Sequence, residues 1–159
     1  MKKVIKCGQF FDSNTGKVLK DIAVVIDGNK ITEVAPAADV CCKDAEVIDL
    51  SGKFVMPGLI DAHVHINMNG EASMQYAVTS DATAAINSMI YAQRDLMAGF
   101  TTLRDEGAQG YSDVAVRDAI NAGKIVGPRI SCSGEAIGGT GGHADSHFLP
   151  CVTGKHAFG

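Results

Sequence analysis

The first fifty-odd residues alternate short apolar and polar stretches in the manner of β-strands separated by turns. Turn-forming stretches such as SNTG and DGNK lie between the apolar segments. The predicted strands are KKVIKCGQF, KVLKDIAVVID, KITEVA, AEVIDL and KFVMP. The pattern therefore predicts a β-rich unit over residues 1–57.

The pattern changes after Pro57 and Gly58. A strand-like run, LIDAHVHI, leads into a loop and then into the long segment SDATAAINSMIYAQRDLMAGF. Ser80 or Asp81 can cap a helix here, and Gly99 stands where a left-handed residue would end it. Apolar residues recur at the helical spacing, at Ala82, Ala85, Ile86, Met89, Ile90 and Leu96.

The same alternation then repeats further along the chain. A strand over Thr101–Asp105 is followed by a glycine-containing loop, by the helix SDVAVRDAINAG and by the strand RISCSG. Ser112 is the predicted cap of this helix and Gly123 its end. Strand, helix, strand, helix, strand is typical of a parallel β/α series. The final stretch, 134–159, contains seven glycines and is expected to be a long loop.

Composition excludes several classes of protein. The 159 residues carry a net charge of −4, which does not suit a surface for nucleic acid or anionic membranes. The N-terminus lacks a signal-peptide core, and no span approaches the roughly 20 apolar residues of a membrane helix, so we expect a cytoplasmic protein. None of the five cysteines falls in a CxxC spacing, and free thiols are expected.

His63 and His65 are the first candidates for chemistry. Residues two apart on a strand point to the same face, roughly 6.6 Å apart, so the two imidazoles can lean toward one ion with Asp61 behind them. Neutral imidazole is the commonest metal ligand. The alternative interpretation of such a pair is polar surface, but its position at the end of a buried strand and before a loop favours a site.

Three motifs in order carry a family resemblance: FVMPGLIDAHVHI, AGFTTLRDEGA and GPRISCSGEAIGGTGGHAD. They resemble the amidohydrolase superfamily of metal-dependent hydrolases, in its branch of imidazolonepropionase-like enzymes and Xaa-Pro dipeptidases. The resemblance implies an α/β fold, the N-terminal part of a (β/α)₈ TIM-type barrel preceded by a small β-sandwich subdomain. Residues 1–57 would be part of that sandwich, and residues 58–159 the first three strands and two helices of an incomplete barrel.

The resemblance also implies a chemistry. One or two divalent ions, usually Zn²⁺, would lower the pKa of a bound water, and the resulting hydroxide would attack a small-molecule amide: a dipeptide, an N-acyl amino acid or a cyclic amide. His63 and His65 would be metal ligands. His143 would lie in the loop over the site and touch substrate, the alternative being a solvated loop histidine. Lys155 and His156 lie too close to the third strand for the family's remaining ligand positions, so no catalytic residue is assigned.

Length limits the functional prediction. A complete barrel typically takes about 250 residues, whereas about 102 remain after the β-rich unit. We therefore expect a piece of a metallohydrolase that is inactive alone and associates with itself or with the missing barrel portion; a non-catalytic truncated or scaffold module with the same fold is the alternative. Arg104 and Asp105 end the second barrel strand, where they could contact substrate or form an internal ion pair.

Overall fold

The computed structural model describes residues 2–70, 79–140 and 142. The chain divides into two compact units, Met1–Pro57 and Gly58–Gly159, which are described separately below. Over the described residues, no helix combines the length and the apolar character needed to cross a membrane.

The first unit is built on a four-stranded sheet. Its strands are β1 (Lys2–Asp12), β2 (Lys17–Asp27), β3 (Lys30–Pro36) and β4 (Glu46–Val55). The order across the sheet is β3-β2-β1-β4, in which β1 and β3 run antiparallel to β2, and β4 runs parallel to β1. Its buried core residues are Val4, Ala23, Val25 and Val40.

The prediction of two separate strands, AEVIDL and KFVMP, is wrong, because most of both segments lies in the single strand β4. The interruption is a register shift against β1, between Cys7 and Gln9. A side chain at Gly8 would overlap the carbonyl group of Ser51, so the absence of a Cβ there lets the two backbones approach. Ser51 and the glycine after it therefore mark an irregularity in the ladder and not a strand end.

The second unit has the predicted parallel β/α arrangement. Strands β5 (Leu59–Val64), β6 (Phe100–Asp105) and β7 (Arg129–Ser131) pair in that order, all parallel. Helix α1 (Asp81–Met97) connects the first two strands, and helix α2 (Ser112–Asn121) connects the next two. One face of the sheet packs on the helices through a core of buried residues: Ile66, Ala92, Leu103, Val116 and Ile130.

Helix α1 has the predicted cap but a different buried face. Ser80 Oγ accepts a hydrogen bond from Thr83 N at 3.2 Å, as an N-cap does. The expected apolar stripe is wrong at Ala82, Ile86 and Ile90, which are all exposed. The buried line consists of Ala84, Ser88 and Ala92. These side chains are small, so the helix can approach its neighbours closely, and the Ser88 hydroxyl donates to the carbonyl of Ala84 at 2.8 Å.

The predicted cap of α2 is wrong. Ser112 is the first helical residue, and the capping position belongs to Tyr111, which makes no side-chain capping bond. Gly110 and Tyr111 are both left-handed, with φ of 61° and 54°. This turn is tight enough that a Cβ on Gly110 would lie 2.6 Å from Asp81 Cγ. The helix thus begins after a pair of residues whose conformation the sequence pattern does not reveal.

Candidate metal centre

His63 and His65 lie at the carboxyl end of β5, the former within the strand and the latter one residue beyond it. Their ring centroids are 5.5 Å apart, and the rings are nearly perpendicular at 83°. Two imidazoles that bind one zinc ion at 2.0–2.1 Å place their ring centres about 5 Å apart. The structure therefore brings the two predicted ligands together at close to the separation that a shared ion needs.

The strand reaches this arrangement through an irregularity. The register of β5 against β6 shifts between Asp61 and Val64. Asp61 pairs with Leu103, whose side chain lies in the core beneath the helices, and Asp61 Oδ1 accepts a hydrogen bond from His63 N at 3.1 Å. The carboxylate of Asp61 also helps to raise the pKa of Asp95 on α1, after the larger effect of burial. The Asp61 carboxylate thus stabilises the backbone at His63 and acts electrostatically on Asp95 of helix α1.

The ring of His65 is held by the loop after β6. Its Nδ1 lies 2.8 Å from the carbonyl oxygen of Gly107. Because a carbonyl oxygen can only accept, Nδ1 carries the proton and donates it. In the neutral ring Nε2 then keeps its lone pair, which is the arrangement that metal-ligating histidines usually have.

Asp105 joins the ends of two neighbouring strands. Its side chain is buried at 1% exposure, and its two oxygens accept hydrogen bonds from Ile66 N and Gly107 N, both at 2.8 Å. Burial raises the pKa of this carboxyl group, and the two backbone donors oppose that rise. Of the two alternatives for Arg104 and Asp105, an ion pair between them is wrong, since Arg104 Nε lies 2.7 Å from Glu106 Oε1 instead.

A second buried carboxylate, in the first turn of α2, links that helix to the loop after β7. Asp113, at 0% exposure, accepts hydrogen bonds from Val114 N at 2.8 Å and Gly134 N at 2.9 Å. Gly134 O in turn accepts from Ala108 N at 2.9 Å, so the loops after β6 and β7 are bonded directly. Burial, followed by the charge of Asp113, raises the pKa of the Cys132 thiol to about 12, which makes that cysteine a poor nucleophile.

Sequence reasoning named Asp105 only as a substrate contact or a member of an ion pair, and it did not name Asp113 at all. Each follows an apolar strand or opens a helix, and each is near glycines, but such aspartates are common at strand ends and helix starts. What marks them is their complete burial, and burial of a carboxylate is rare without partners.

The profile of the Amidohydrolase family matches residues 54–150 of the chain. The chain belongs to the amidohydrolase family. It is 31% identical over 140 residues to the ochratoxinase of Aspergillus niger, and 31% identical over 134 residues to the imidazolonepropionase of Micrococcus luteus. These alignments cover 85% and 72% of the chain.

Solved structures extend the likeness to the fold. The crystal structure of a Xaa-Pro dipeptidase with bound methionine in the active site superimposes on 91% of the chain, with a TM-score of 0.84 and 36% identity. The chain spans about a third of the length of these relatives: 28% of the ochratoxinase, 33% of the imidazolonepropionase and 36% of the dipeptidase chain. The β/α series is thus the partial counterpart of an amidohydrolase barrel.

The donor set at the end of β5 fits the divalent ion that the amidohydrolase family implies, but only in part. Two imidazoles lie with their ring centres 5.5 Å apart, and a backbone carbonyl contacts one of them. Within residues 2–70, 79–140 and 142, no group of three or more His, Cys, Asp or Glu side chains is arranged to hold an ion. His143, the predicted substrate contact, lies outside the described residues, as do Lys155 and His156.

A cleft lies beside the candidate centre, between the end of β5 and helix α1. Its volume is about 390 Å³, and its walls include His65, Tyr91, Arg94 and Asp95. Asn69 Nδ2 donates to the Tyr91 hydroxyl at 3.0 Å, and the Arg94 guanidinium lies 5.4 Å from the Tyr91 ring centre. The cleft wall on the α1 side is therefore polar and internally paired.

Proposed function

We propose that the chain is the metal-ligating N-terminal portion of a metal-dependent hydrolase that cleaves amide bonds in small molecules. The observation that carries the proposal is the pair of imidazoles at the end of β5, 5.5 Å apart, one of them bonded to a backbone carbonyl. His63 and His65 would hold one divalent ion, and zinc is the metal that such imidazole ligands suit well.

The ion, when bound, would supply an activated water and a Lewis acid for the amide carbonyl. The residues of this chain would bind and orient the ion. Gly107 O accepts from His65 Nδ1, which would leave Nε2 as the nitrogen that holds the ion. His63 is exposed, so its ring is accessible from solvent. His143 is proposed, from the family resemblance, to contact substrate.

The relatives, an ochratoxinase, an imidazolonepropionase and a Xaa-Pro dipeptidase, support a proposal for the substrate class. We propose a dipeptide, an N-acyl amino acid or a cyclic amide as substrate. A Xaa-Pro dipeptide is the first compound to test, because the Xaa-Pro dipeptidase matches the chain with a TM-score of 0.84 and 36% identity, against 0.74 and 29% for the structure of A. niger ochratoxinase.

We further propose that the 159-residue chain is inactive by itself. Catalytic zinc sites hold three protein ligands and a water, whereas the described residues supply two imidazoles. Apolar side chains of the second unit are also open to solvent, including Ile60 at 69% and Val126 at 75% exposure. Such a surface favours association with further copies or with the rest of an amidohydrolase barrel.

Zinc titration of the pure chain by calorimetry tests the proposal. We expect one weak site that His63→Ala or His65→Ala abolishes, and that Cys41→Ala leaves intact. Cys41 is an exposed cysteine of the first unit and serves as the control for binding of zinc by thiols.

Hydrolysis of a Xaa-Pro dipeptide by the zinc-loaded chain is measured in parallel. We expect turnover far below an ordinary enzymatic rate of roughly 1 s⁻¹. Zinc binding that survives both histidine substitutions would contradict the metal proposal. Turnover near 1 s⁻¹ would contradict the proposed inactivity of the chain.

A further inference from the structure

We propose that Asp105 is a positioning residue that sets the tautomer of His65 through the backbone of Gly107. This inference deepens the metal role proposed for His65 and rests on it. The contacts form a continuous path: Asp105 Oδ1 accepts from Gly107 N at 2.8 Å, and Gly107 O lies 2.8 Å from His65 Nδ1.

The Asp105 carboxylate holds the backbone on both sides of the contact between Gly107 O and His65 Nδ1. Its other oxygen accepts from Ile66 N at 2.8 Å, and Ile66 follows His65 directly in the chain. One buried side chain thus fixes the backbone next to the imidazole and the backbone that bears its acceptor. Rotation of either segment would separate Nδ1 from the Gly107 carbonyl.

Gly107 is suited to this task by its conformation. Its φ is +146°, at the edge of the region that L residues rarely adopt, and a Cβ there would lie 3.1 Å from the Cβ of Ala136. The backbone that presents the carbonyl to His65 therefore depends on glycine at this position and on the carboxylate that holds its N–H.

The competing explanation is that Asp105 only ties strand ends together. Asp113 offers a matched control, because it too is fully buried and accepts two backbone N–H bonds, from Val114 and Gly134. Asp113 makes no hydrogen bond to His65, Ile66 or Gly107 among the described residues, and its connection to the Gly107 carbonyl is longer: it holds Gly134, whose oxygen accepts from Ala108 N in the same peptide unit. A purely structural role predicts similar effects for Asp105→Asn and Asp113→Asn, whereas positioning predicts a much larger change at the His65 ring for Asp105→Asn.

The substitution to asparagine is selective. An amide side chain keeps one accepting oxygen and turns an NH₂ group toward the second backbone N–H, so one of the two bonds is lost with almost no change in volume. We expect the contact between Gly107 O and His65 Nδ1 to weaken without a cavity being formed.

Long-range ¹⁵N–¹H spectra of the histidine rings, recorded on the metal-free chain at about pH 8.5, where imidazoles are ordinarily neutral, provide the test. We expect His65 to be the Nδ1–H tautomer in the wild type and in Asp113→Asn, and to shift toward an exchanging mixture in Asp105→Asn. His63 is an internal reference, since its ring makes no hydrogen bond among the described residues and should exchange in all three proteins.

Zinc titration followed through the same Nε2 resonances adds a second measurement. Loss of a group that orients a ligand typically weakens metal binding about 10- to 100-fold. We expect a weakening of at least about tenfold for Asp105→Asn and less than about threefold for Asp113→Asn.

The outcomes separate the two proposals. If the wild type shows a fixed Nδ1–H tautomer that is lost in Asp105→Asn, the positioning proposal is supported. If zinc then fails to shift the Nε2 resonances, the metal site is overturned. Zinc binding at Nε2 with the same tautomer in Asp105→Asn as in the wild type would overturn positioning and leave the metal site. If Asp105→Asn does not fold, Gly107→Ala tests the same path, and an unchanged His65 tautomer in that variant overturns the proposal.

Discussion

The hydrogen-bonded aspartates of the two units differ in their exposure to solvent. In the first unit Asp12 and Asp49 face solvent and accept bonds from residues two or three positions ahead, which lowers their pKa values. All buried polar residues of the described chain lie in the second unit. They are Asn67, Ser88, Asp105, Ser112 and Asp113. A buried carboxylate is costly unless it is hydrogen-bonded, and Asp105 and Asp113 each accept two backbone N–H bonds in the unit that holds the candidate site.

The largest difference between the units should follow removal of a carboxylate. Asp105→Ala leaves Ile66 N and Gly107 N without their acceptor. At about 1–3 kcal/mol for each buried unsatisfied group, we expect the free energy of unfolding to fall by about 3–5 kcal/mol, measured by urea denaturation. Asp12→Ala, in the first unit, should leave the denaturation midpoint almost unchanged. Similar losses in both variants would remove the distinction between the units.

Core truncations should show a smaller contrast. Leu103 is completely buried between the sheet and the helices of the second unit, and Leu103→Ala is expected to cost about 3 kcal/mol. Val4 is equally buried in the first unit, but it loses less volume, and Val4→Ala should cost about 2 kcal/mol. Thermal denaturation followed by circular dichroism measures both. A larger cost for Val4→Ala would show that the first unit carries the tighter core.

The pH dependence of stability should have opposite signs in the two units. Burial, and then the charge of Asp61, raises the pKa of Asp95 above its ordinary value of 3.8, so the folded chain binds more protons than the unfolded chain just above that pH. The contribution of Asp95 to stability therefore falls as pH rises through its folded pKa. Asp95→Asn should be more stable than the wild type at neutral pH, with the advantage disappearing at low pH.

Asp12 is the matched case in the first unit. The Thr15 hydroxyl and the Asn14 amide lower its pKa below 3.8, so its stabilising contribution is present at neutral pH and is lost as pH falls through its folded value. Asp12→Asn should accordingly be slightly less stable than the wild type at neutral pH and equal to it in acid. Urea denaturation at a series of pH values measures both substitutions, and a common sign would contradict this account.

The smallest expected effect lies at the starts of the two helices. Ser80→Ala removes the oxygen that accepts from Thr83 N and should cost about 1 kcal/mol. Ser112 Oγ has no hydrogen-bond partner in the described part of the chain, so Ser112→Ala should be neutral or slightly stabilising. Equal losses, measured as shifts in the thermal midpoint, would mean that Ser112 does cap α2.

Local patterns in the sequence were enough to predict the parallel β/α series and the cap at Ser80. They failed where a neighbour from another element decides the outcome. The buried face of α1 runs through Ala84, Ser88 and Ala92 because close packing favours small side chains, which no apolar periodicity indicates. The two serines look alike as caps, yet only Ser80 is one, because Gly110 and Tyr111 turn the chain before α2.

The candidate site divides in the same way. The closeness of His63 and His65 depends on a spacing of two residues at the end of one strand, and the sequence displays that spacing. The acceptor of the Ile66 amide is Asp105, 39 positions away, and that of Gly134 is Asp113, 21 positions away. Such bonds depend on which strand ends become neighbours, and this is settled only when the sheet has formed.

The irregularity between Asp61 and Val64 has a consequence for how this segment can change in evolution. Because side chains alternate along a strand, one residue gained or lost there would exchange the faces on which the histidine rings and the apolar residues lie. Substitutions are tolerated or rejected one position at a time, whereas a single insertion or deletion would displace the rings and the core together. Related genes should therefore align without gaps from residue 59 to residue 66, even where the surrounding loops differ in length.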